Sequence, residues 1–599
     1  MYKHNKPDNL VEMIENSIQK YTNNPLFGTK NTRGTYDWTT YKEVGQRIDN
    51  LRGGLAQLGV GKGDVVGIIA NNRVEWAIAA FASFGIGGRY IPMYEKELVK
   101  IWQYIINDGN VKVLLVATPE IYDKINQIRE ELPFLEKIFL IDGDGENTMS
   151  ELEQTGRAHP VSAIHPDPND IAVLIYTSGT TGNPKGVLLS HGNLTSNIQA
   201  GCRLFPQLDE HSRSLSILPW AHSFGQSAEL YNFIQLGGSI GFIENITTIA
   251  EDMAQVRPSF LIAVPRIFYK IYDGIWEKLD EAGGLVKKLF IMGIKCSNKR
   301  RGLAEKNKSS TFTNLLFKFV DALFFKKIRD KFGGRLEGSL SGSATMNIEI
   351  AQFFFAIGIP VYDCYGLTET SPAVTMNCPA SNKLGSVGRP IENVRVVIDR
   401  SVGGEDSKDG EIIVYGPNVM HGYHNNPEDT NFVMTGDRGL RTGDLGWLDE
   451  EGFLYITGRI KEQYKLENGK YVFPASLEEE IRLVPYVENT MLYGEGKAYN
   501  ICLIVPNFQV LEKYAKKNNL PIDPDQLIKR KDVKKLICDA IVESLEGKYK
   551  SYEIPKKFIF LVDNFSLASG ALTQTMKLKR DSVTQQYKKE IEDIYQSPR

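Results

Sequence analysis

Ile171-Ala-Val-Leu-Ile-Tyr-Thr-Ser-Gly-Thr-Thr-Gly-Asn-Pro-Lys-Gly-Val187 sets an apolar run directly against a loop of glycines and hydroxyl residues that ends in one lysine. A short apolar run bounded by turn residues reads as a buried strand. In the loop, glycine lets the backbone turn its N–H groups towards an anion, hydroxyls add donors, and Lys185 brings a full positive charge. Strand, loop and lysine together predict a polyphosphate cradle; a plain flexible turn would need neither the strand nor the lysine. The Walker pattern is missing, because no Gly-Lys-Ser/Thr follows at the required spacing, and this argues against a simple P-loop kinase or ATPase.

On the N-terminal side of this stretch, apolar strand-like runs at 65–70 and 111–117 are each followed by a helical pattern, at 73–85 and 120–132. Strands alternating with helices predict an α/β architecture with a largely parallel sheet. On the C-terminal side, from residue 380, shorter β-like segments separated by turns (394–399, 411–415, 452–457) predict a β-rich subdomain. A charged stretch at 459–470 then leads into an α+β pattern, with a strand at 498–505 and a helix at 535–545. The expected organisation is a large α/β domain of several subdomains, 1–458, and a small mobile α+β domain, 459–599.

The chain has 599 residues, 42% hydrophobic and 24% charged, which is too long for one core and rich enough for several. Its net charge of −3 gives no global reason to expect a nucleic-acid partner. The six cysteines, Cys202, Cys296, Cys364, Cys378, Cys502 and Cys538, are scattered without Cys-x-x-Cys or His/Cys ligand spacing, as expected of reduced thiols in a cytoplasmic protein. Residues 1–24 lack the apolar core of a secretory signal. The most apolar early stretch, 77–88, is far shorter than the roughly 20 residues of a membrane span.

Residues 285–331 stand apart, with 13 basic and 3 acidic side chains. Leu315, Leu316, Phe319, Val320, Leu323, Phe324 and Ile328 recur there at helical spacing beside Lys318, Lys326 and Arg329. Two readings stay open: a helix packed on its own domain with solvated lysines, or a basic amphipathic helix in peripheral contact with the inner face of a membrane.

Further motifs follow in order: Tyr365-Gly-Leu-Thr-Glu369, Arg441-Thr-Gly-Asp444, Gly458-Arg-Ile-Lys461, and Leu572-Thr-Gln-Thr-Met-Lys577. With Tyr176 to Gly186 they resemble the motif series of the adenylate-forming superfamily, which holds acyl-CoA synthetases, peptide synthetase adenylation domains and luciferases. The resemblance covers nearly the whole chain. It implies that Thr177, Ser178, Gly179, Thr180, Thr181, Gly182 and Lys185 hold the β- and γ-phosphates of ATP, with Glu369 and Thr177 on Mg2+, a hard cation that prefers oxygen ligands. It further implies that Tyr365 with Gly366 stacks on adenine against the Gly342-Ser343-Ala344 turn, and that Thr368 touches the α-phosphate. Asp444 would accept from both ribose hydroxyls and Arg459 would reach the ribose or α-phosphate.

The implied chemistry is two displacements. A carboxylate attacks the α-phosphorus of ATP and expels pyrophosphate; the thiol of coenzyme A then attacks the acyl-adenylate and expels AMP. Lys577 resembles the C-terminal lysine that the family swings onto the carboxylate and α-phosphate. Gln574 stands where fatty acyl relatives usually carry proline, and Lys579 competes for the role. Lys461 corresponds to the hinge between half-reactions, and Gly469, in Gln463-Tyr-Lys-Leu-Glu-Asn-Gly-Lys-Tyr-Val-Phe-Pro474, to the loop along the thiol arm.

Leu218-Pro-Trp-Ala-His222-Ser-Phe, Ala263-Val-Pro-Arg266-Ile-Phe-Tyr-Lys-Ile-Tyr272 and the basic insertion are similar to long-chain acyl-CoA synthetases, which implies a fatty acid in an apolar tunnel. Each buried methylene would contribute about 0.8 kcal/mol. His222 is a candidate at the acyl carboxylate or tunnel mouth, with a packing role as its alternative. Gln226 stands where some bacterial relatives carry a gating tryptophan. Three rivals remain: a fatty acyl-AMP ligase serving a carrier protein, a silent acyl- or nucleotide-binding homologue, and luciferase-like oxygenation.

Overall fold

The computed structural model describes residues 6–177, 183–245, 247–402, 408–566, 569–573 and 578–596. Two compact units divide the chain. One comprises Met1–Val397, Ile413–Thr442 and Leu448–Tyr455; the other comprises Ile398–Ile412, Gly443–Trp447 and Ile456–Arg599. Short pieces from the β-rich region, Ile398–Ile412 and Gly443–Trp447, therefore group with the C-terminal unit.

The first unit is built on a seven-stranded sheet, in the order Gly422–Tyr423, Lys185–Ser190, Ile171–Thr177, Arg89–Met93, Val65–Ile69, Val111–Val116, Lys137–Leu140. The last five are parallel. Lys185–Ser190 returns antiparallel to Ile171–Thr177, and Gly422–Tyr423 pairs antiparallel on its outer edge. Val65–Ile69 is buried throughout, as a strand covered on both faces must be, and the helix Val74–Gly85 is buried along its length. The helix Tyr41–Gln57 opens with a capping box, Thr40 to Glu43. It lies so tightly on Met149–Ala158 that a Cβ at Gly156 would stand 1.7 Å from the Asn50 carbonyl oxygen.

A second sheet places Phe260–Ala263, Gly338–Ser341 and Val361–Gly366 in parallel, followed by antiparallel Ala373–Met376 and Arg389–Pro390. Helices Gly284–Glu305 and Thr311–Val320 form a hairpin, continued by a wide π-helical turn, Asp321–Phe325, into Lys326–Lys331. The apolar stripe expected from 3.6-residue spacing does not survive intact: Val320 and Phe325 are buried, whereas Leu315 and Phe319 are exposed. The π-turn changes the residues per turn, and Phe325, outside the expected stripe, moves inward.

The C-terminal unit holds a three-stranded sheet, Val487–Tyr493, Ile501–Pro506 and Lys557–Phe560. Ile504 and Cys502 join the core with Leu477, Leu511 and Ile537, while Ile501 and Leu503 join that with Val583 and Ile591, so alternate residues serve the two faces.

Candidate functional site

Thr177 and Lys185 are register partners at the mouth of the hairpin between Ile171–Thr177 and Lys185–Ser190. Ser178, Gly179, Thr180, Thr181 and Gly182 lie outside the described residues. The hairpin base is fixed from below: the Tyr176 hydroxyl donates to Asp108 Oδ2 at 2.6 Å, and the Gly186 carbonyl accepts from His424 N at 2.7 Å. A Cβ at Gly186 would come within 3.0 Å of the Tyr176 ring. Burial and the Asp108 carboxylate push the Tyr176 phenol above its ordinary range, so it remains a donor.

Lys185 Nζ sits 2.6 Å from Asp429 Oδ2 and 5.3 Å from the centroid of the Tyr423 ring. The Tyr423 hydroxyl donates to Glu369 Oε1 at 2.8 Å. One phenol thus bridges the lysine and the glutamate singled out in the sequence. Burial, then the neighbouring Glu369 charge, raises the Tyr423 phenol well above its usual value and keeps it protonated. Asp429 belongs to the first turn of Pro427–Val433, where Asn426 Nδ2 donates to its Oδ2 at 2.7 Å. Glu369 itself lies on the single 3-10 turn Thr368–Thr370, which packs on the strand Lys185–Ser190.

A second convergence involves His222. The Ser223 and Thr368 hydroxyls are 3.1 Å apart and buried, and a Cβ at Gly342 would meet the Phe224 ring at 2.9 Å. The turn at His222 thereby touches both the Thr368 turn and the Gly342-Ser343-Ala344 turn. His222 Nδ1 accepts from Phe224 N at 3.2 Å, which puts the proton of a neutral ring on Nε2. Ser343 has φ of 70°, and its turn follows Gly338–Ser341, the parallel neighbour of Val361–Gly366. Tyr365 and Gly366 end that second strand, so turn and tyrosine share the carboxyl edge of the sheet, where α/β folds bind ligands. Glycine is required at 366, since a Cβ would stand 1.8 Å from the Pro372 carbonyl oxygen.

Gln226, in the π-helical segment Gly225–Tyr231, is fully buried, and neither amide atom meets a hydrogen-bond partner among the described residues. Glu229, three residues on, is buried too, and accepts from Ser214 at 2.6 Å and Trp220 Nε1 at 3.0 Å. Burial raises its carboxyl above the usual range.

In the C-terminal unit Asp444 is buried and Arg459 Nε stands 2.7 Å from its Oδ1. Arg459 ends the strand Leu454–Arg459, and Lys461 lies in the turn just after it, where Glu462 N and Gln463 N both donate to the Arg459 carbonyl. Gly469, with φ of 83°, tips the small hairpin of Tyr464–Lys465 and Tyr471–Val472. Lys577 lies outside the described residues, as does Gln574. Lys579 caps the helix Arg580–Gln586, its N–H donating to the Ala571 carbonyl at 2.8 Å.

Nothing in the sequence marks Tyr423 or Asp429 as a site residue. A two-residue strand carries no periodicity, and Asn426-Pro427-Glu428-Asp429 reads as a helix start, in which an acid in the first turn needs no other explanation.

A family model described as AMP-binding enzyme matches residues 14–424. The chain belongs to the AMP-binding enzyme family. A second model, the AMP-binding enzyme C-terminal domain, matches residues 461–599 of this AMP-binding enzyme. Among curated relatives, long-chain-fatty-acid-CoA ligase 6 of Mus musculus is 31% identical over 98% of the chain and 86% of its own length. Long-chain-fatty-acid-CoA ligase FadD15 of Mycobacterium bovis is 30% identical over 93% of the chain and 92% of its own length. Among solved structures, the adenylation domain of a carboxylate reductase from Mycobacterium chelonae superposes with a TM-score of 0.78 at 22% identity, covering 98% of this chain and 91% of that one. An anthranilate CoA ligase, AuaEII, gives 0.73 at 20%, covering 98% of each chain. The enzyme therefore has the adenylate-forming α/β fold, with a large N-terminal and a smaller C-terminal domain, and it resembles long-chain fatty acid CoA ligases.

Proposed function

We propose that this AMP-binding enzyme is a long-chain fatty acid:CoA ligase, activating its acid as an acyl-adenylate and delivering it to coenzyme A with release of pyrophosphate and AMP. The observation that carries the reading is the linked set Lys185, Tyr423 and Glu369 at the hairpin mouth, in a chain related over nearly its whole length to curated long-chain ligases.

Lys185 supplies the charge for the ATP phosphates beside Thr177, and Glu369 the carboxylate for a divalent cation. No group of three or more His, Cys, Asp or Glu side chains able to hold a metal occurs among the described residues. That donor set suits Mg2+, which is held by one or two carboxylates while substrate phosphates and water complete its shell. When bound, the ion neutralises charge on the phosphate oxygens. In this reading Thr368, whose hydroxyl meets that of Ser223, donates at the α-phosphate, and Tyr365 with the Gly342 turn receives adenine. Asp444 and Arg459, already paired, serve the ribose, and Lys577 or Lys579 serves the reacting carboxylate. The domain 459–599 pivots at Lys461 between half-reactions, and Gly469 lets the thiol arm pass.

The test is a coupled assay with ATP, Mg2+ and fatty acids from short to very long, with and without coenzyme A, following pyrophosphate and AMP separately. AMP release that needs coenzyme A and peaks at long chains is the expected result. Pyrophosphate release indifferent to coenzyme A would replace the reading with a fatty acyl-AMP ligase, and no pyrophosphate with any acid would replace it with a silent homologue.

A further inference from the structure

Thirteen large hydrophobic side chains are exposed among the described residues, and five of them, Leu285, Met292, Phe312, Leu315 and Phe319, fall on one helical hairpin. On Thr311–Val320 the last three succeed one another at intervals of three and four residues, which lines them up on one face. Their exposures are 76%, 69% and 64%, too high for side chains packed on the domain. The opposite face is anchored: Thr313 and Val320 are buried, Cys296 Sγ donates to the Thr313 carbonyl, and Arg300 lies 4.5 Å over the Phe317 ring. Gly284–Glu305 repeats the pattern, with Leu285, Lys288, Met292, Lys295 and Lys299 exposed at the same spacing.

Cations surround these apolar tips. Residues 285–331 hold 13 basic and 3 acidic side chains in a chain whose net charge is −3. Of the three acids, Asp321 pairs with Arg329 and Asp330 with Lys326. Close by, Lys278 stands against Lys331, and the repulsion holds the Lys331 ammonium below its ordinary range. An excess of cation this dense favours an anionic partner, and the apolar stripe favours one with a hydrocarbon interior. An anionic lipid bilayer offers both, which neither a nucleic acid nor a second copy of the same cationic face does.

We propose that the hairpin of Gly284–Glu305 and Thr311–Val320 is a membrane-docking element, which seats Phe312, Leu315 and Phe319 at the acyl boundary of an anionic bilayer and its lysines on the headgroups. No helix among the described residues is long and apolar enough to cross a membrane, so the attachment is at the interface. Docking sets the enzyme where fatty acids partition; that purpose rests on the proposed function, but the docking itself does not.

The test is sedimentation of the full chain with phosphatidylcholine vesicles, with and without phosphatidylserine, at low and raised salt. Binding to the anionic vesicles, weakened by salt, is expected; each lysine near the surface contributes about fivefold in affinity. Phe312→Ser/Leu315→Ser/Phe319→Ser should lose most binding at all salt concentrations, and Lys288→Glu/Lys295→Glu/Lys299→Glu should lose it most at low salt. All six positions are exposed, so both variants should keep the wild-type Tm. Failure of the wild type to bind anionic vesicles, or binding by both variants that equals that of the wild type, overturns the proposal. So does binding to RNA that the apolar substitutions leave unchanged in the absence of lipid binding, or a dimer that they dissociate without altering vesicle binding.

Discussion

Tyr423 joins the two charged residues on which the proposed chemistry depends, yet carries no charge itself. Its hydroxyl fixes one oxygen of Glu369, and its ring faces Lys185. Tyr423→Phe keeps the ring and removes only the donor. A hydrogen bond to a charged acceptor is worth about 1.5–3 kcal/mol, so a carboxylate left to rotate should weaken binding of Mg2+ with ATP roughly tenfold or more. Calorimetric titration with ATP at several Mg2+ concentrations should show the loss, deepest where Mg2+ is scarce, with the Tm little changed. Unaltered Mg2+ dependence would remove Tyr423 from the site. The sequence singles out Lys185 and Glu369 as candidates because glycines, hydroxyls and neighbouring motif residues surround them. It gives no such sign of Tyr423, because what places that residue is an antiparallel pairing with a strand more than 230 residues earlier.

At the scale of elements, the basic hairpin shows how close two helices can come when one has no side chain at the crossing. A Cβ at Gly293 would stand 2.2 Å from Val320 Cγ1, whereas Gly302, in the same helix, faces open space. Gly293→Ala should therefore cost about 1–3 kcal/mol by overpacking, while Gly302→Ala should stabilise by about 0.5–1 kcal/mol, since glycine is the poorer helix former. Thermal melts of the pair check both signs, and limited proteolysis should cut the hairpin faster in the first variant alone. The strands are legible in the sequence: the expected runs at 65–70 and 111–117 are Val65–Ile69 and Val111–Val116, because a largely apolar run of this length has few alternatives. The buried face of the hairpin is less legible. Its periodicity breaks at the π-turn Asp321–Phe325, and a helical glycine gives no sign of what will pack against it.

Across the whole molecule, stability against pH is governed by ionisable groups that folding has moved furthest from water, and two of these oppose each other. Asp363 is buried between the sheet strands, with Oδ1 unpartnered among the described residues and Oδ2 accepting from Met346 N at 3.3 Å; burial pushes its carboxyl up to about 7. His191, which accepts from Leu10 N at 3.3 Å, is pushed by burial down to about 4. Between about pH 4 and 7 the folded chain keeps a proton on Asp363 that the unfolded chain releases, so this group makes stability fall as pH rises. In nearly the same window the unfolded chain protonates His191 and the folded chain does not, so that group makes stability rise with pH. Across the window the Asp363 contribution is worth roughly 4 kcal/mol and the opposing His191 contribution roughly 3 kcal/mol, so in the native sequence each offsets most of the other. Asp363→Asn removes the falling contribution, and the Tm difference between variant and wild type should grow steadily more positive from pH 4 to pH 7 and then level off. His191→Gln should give the opposite slope, its difference from wild type growing more negative up to about pH 6.5. Differences that stay flat for both variants would mean that water reaches both groups, and that neither interior is as dry as the packing around Asp363 and His191 requires.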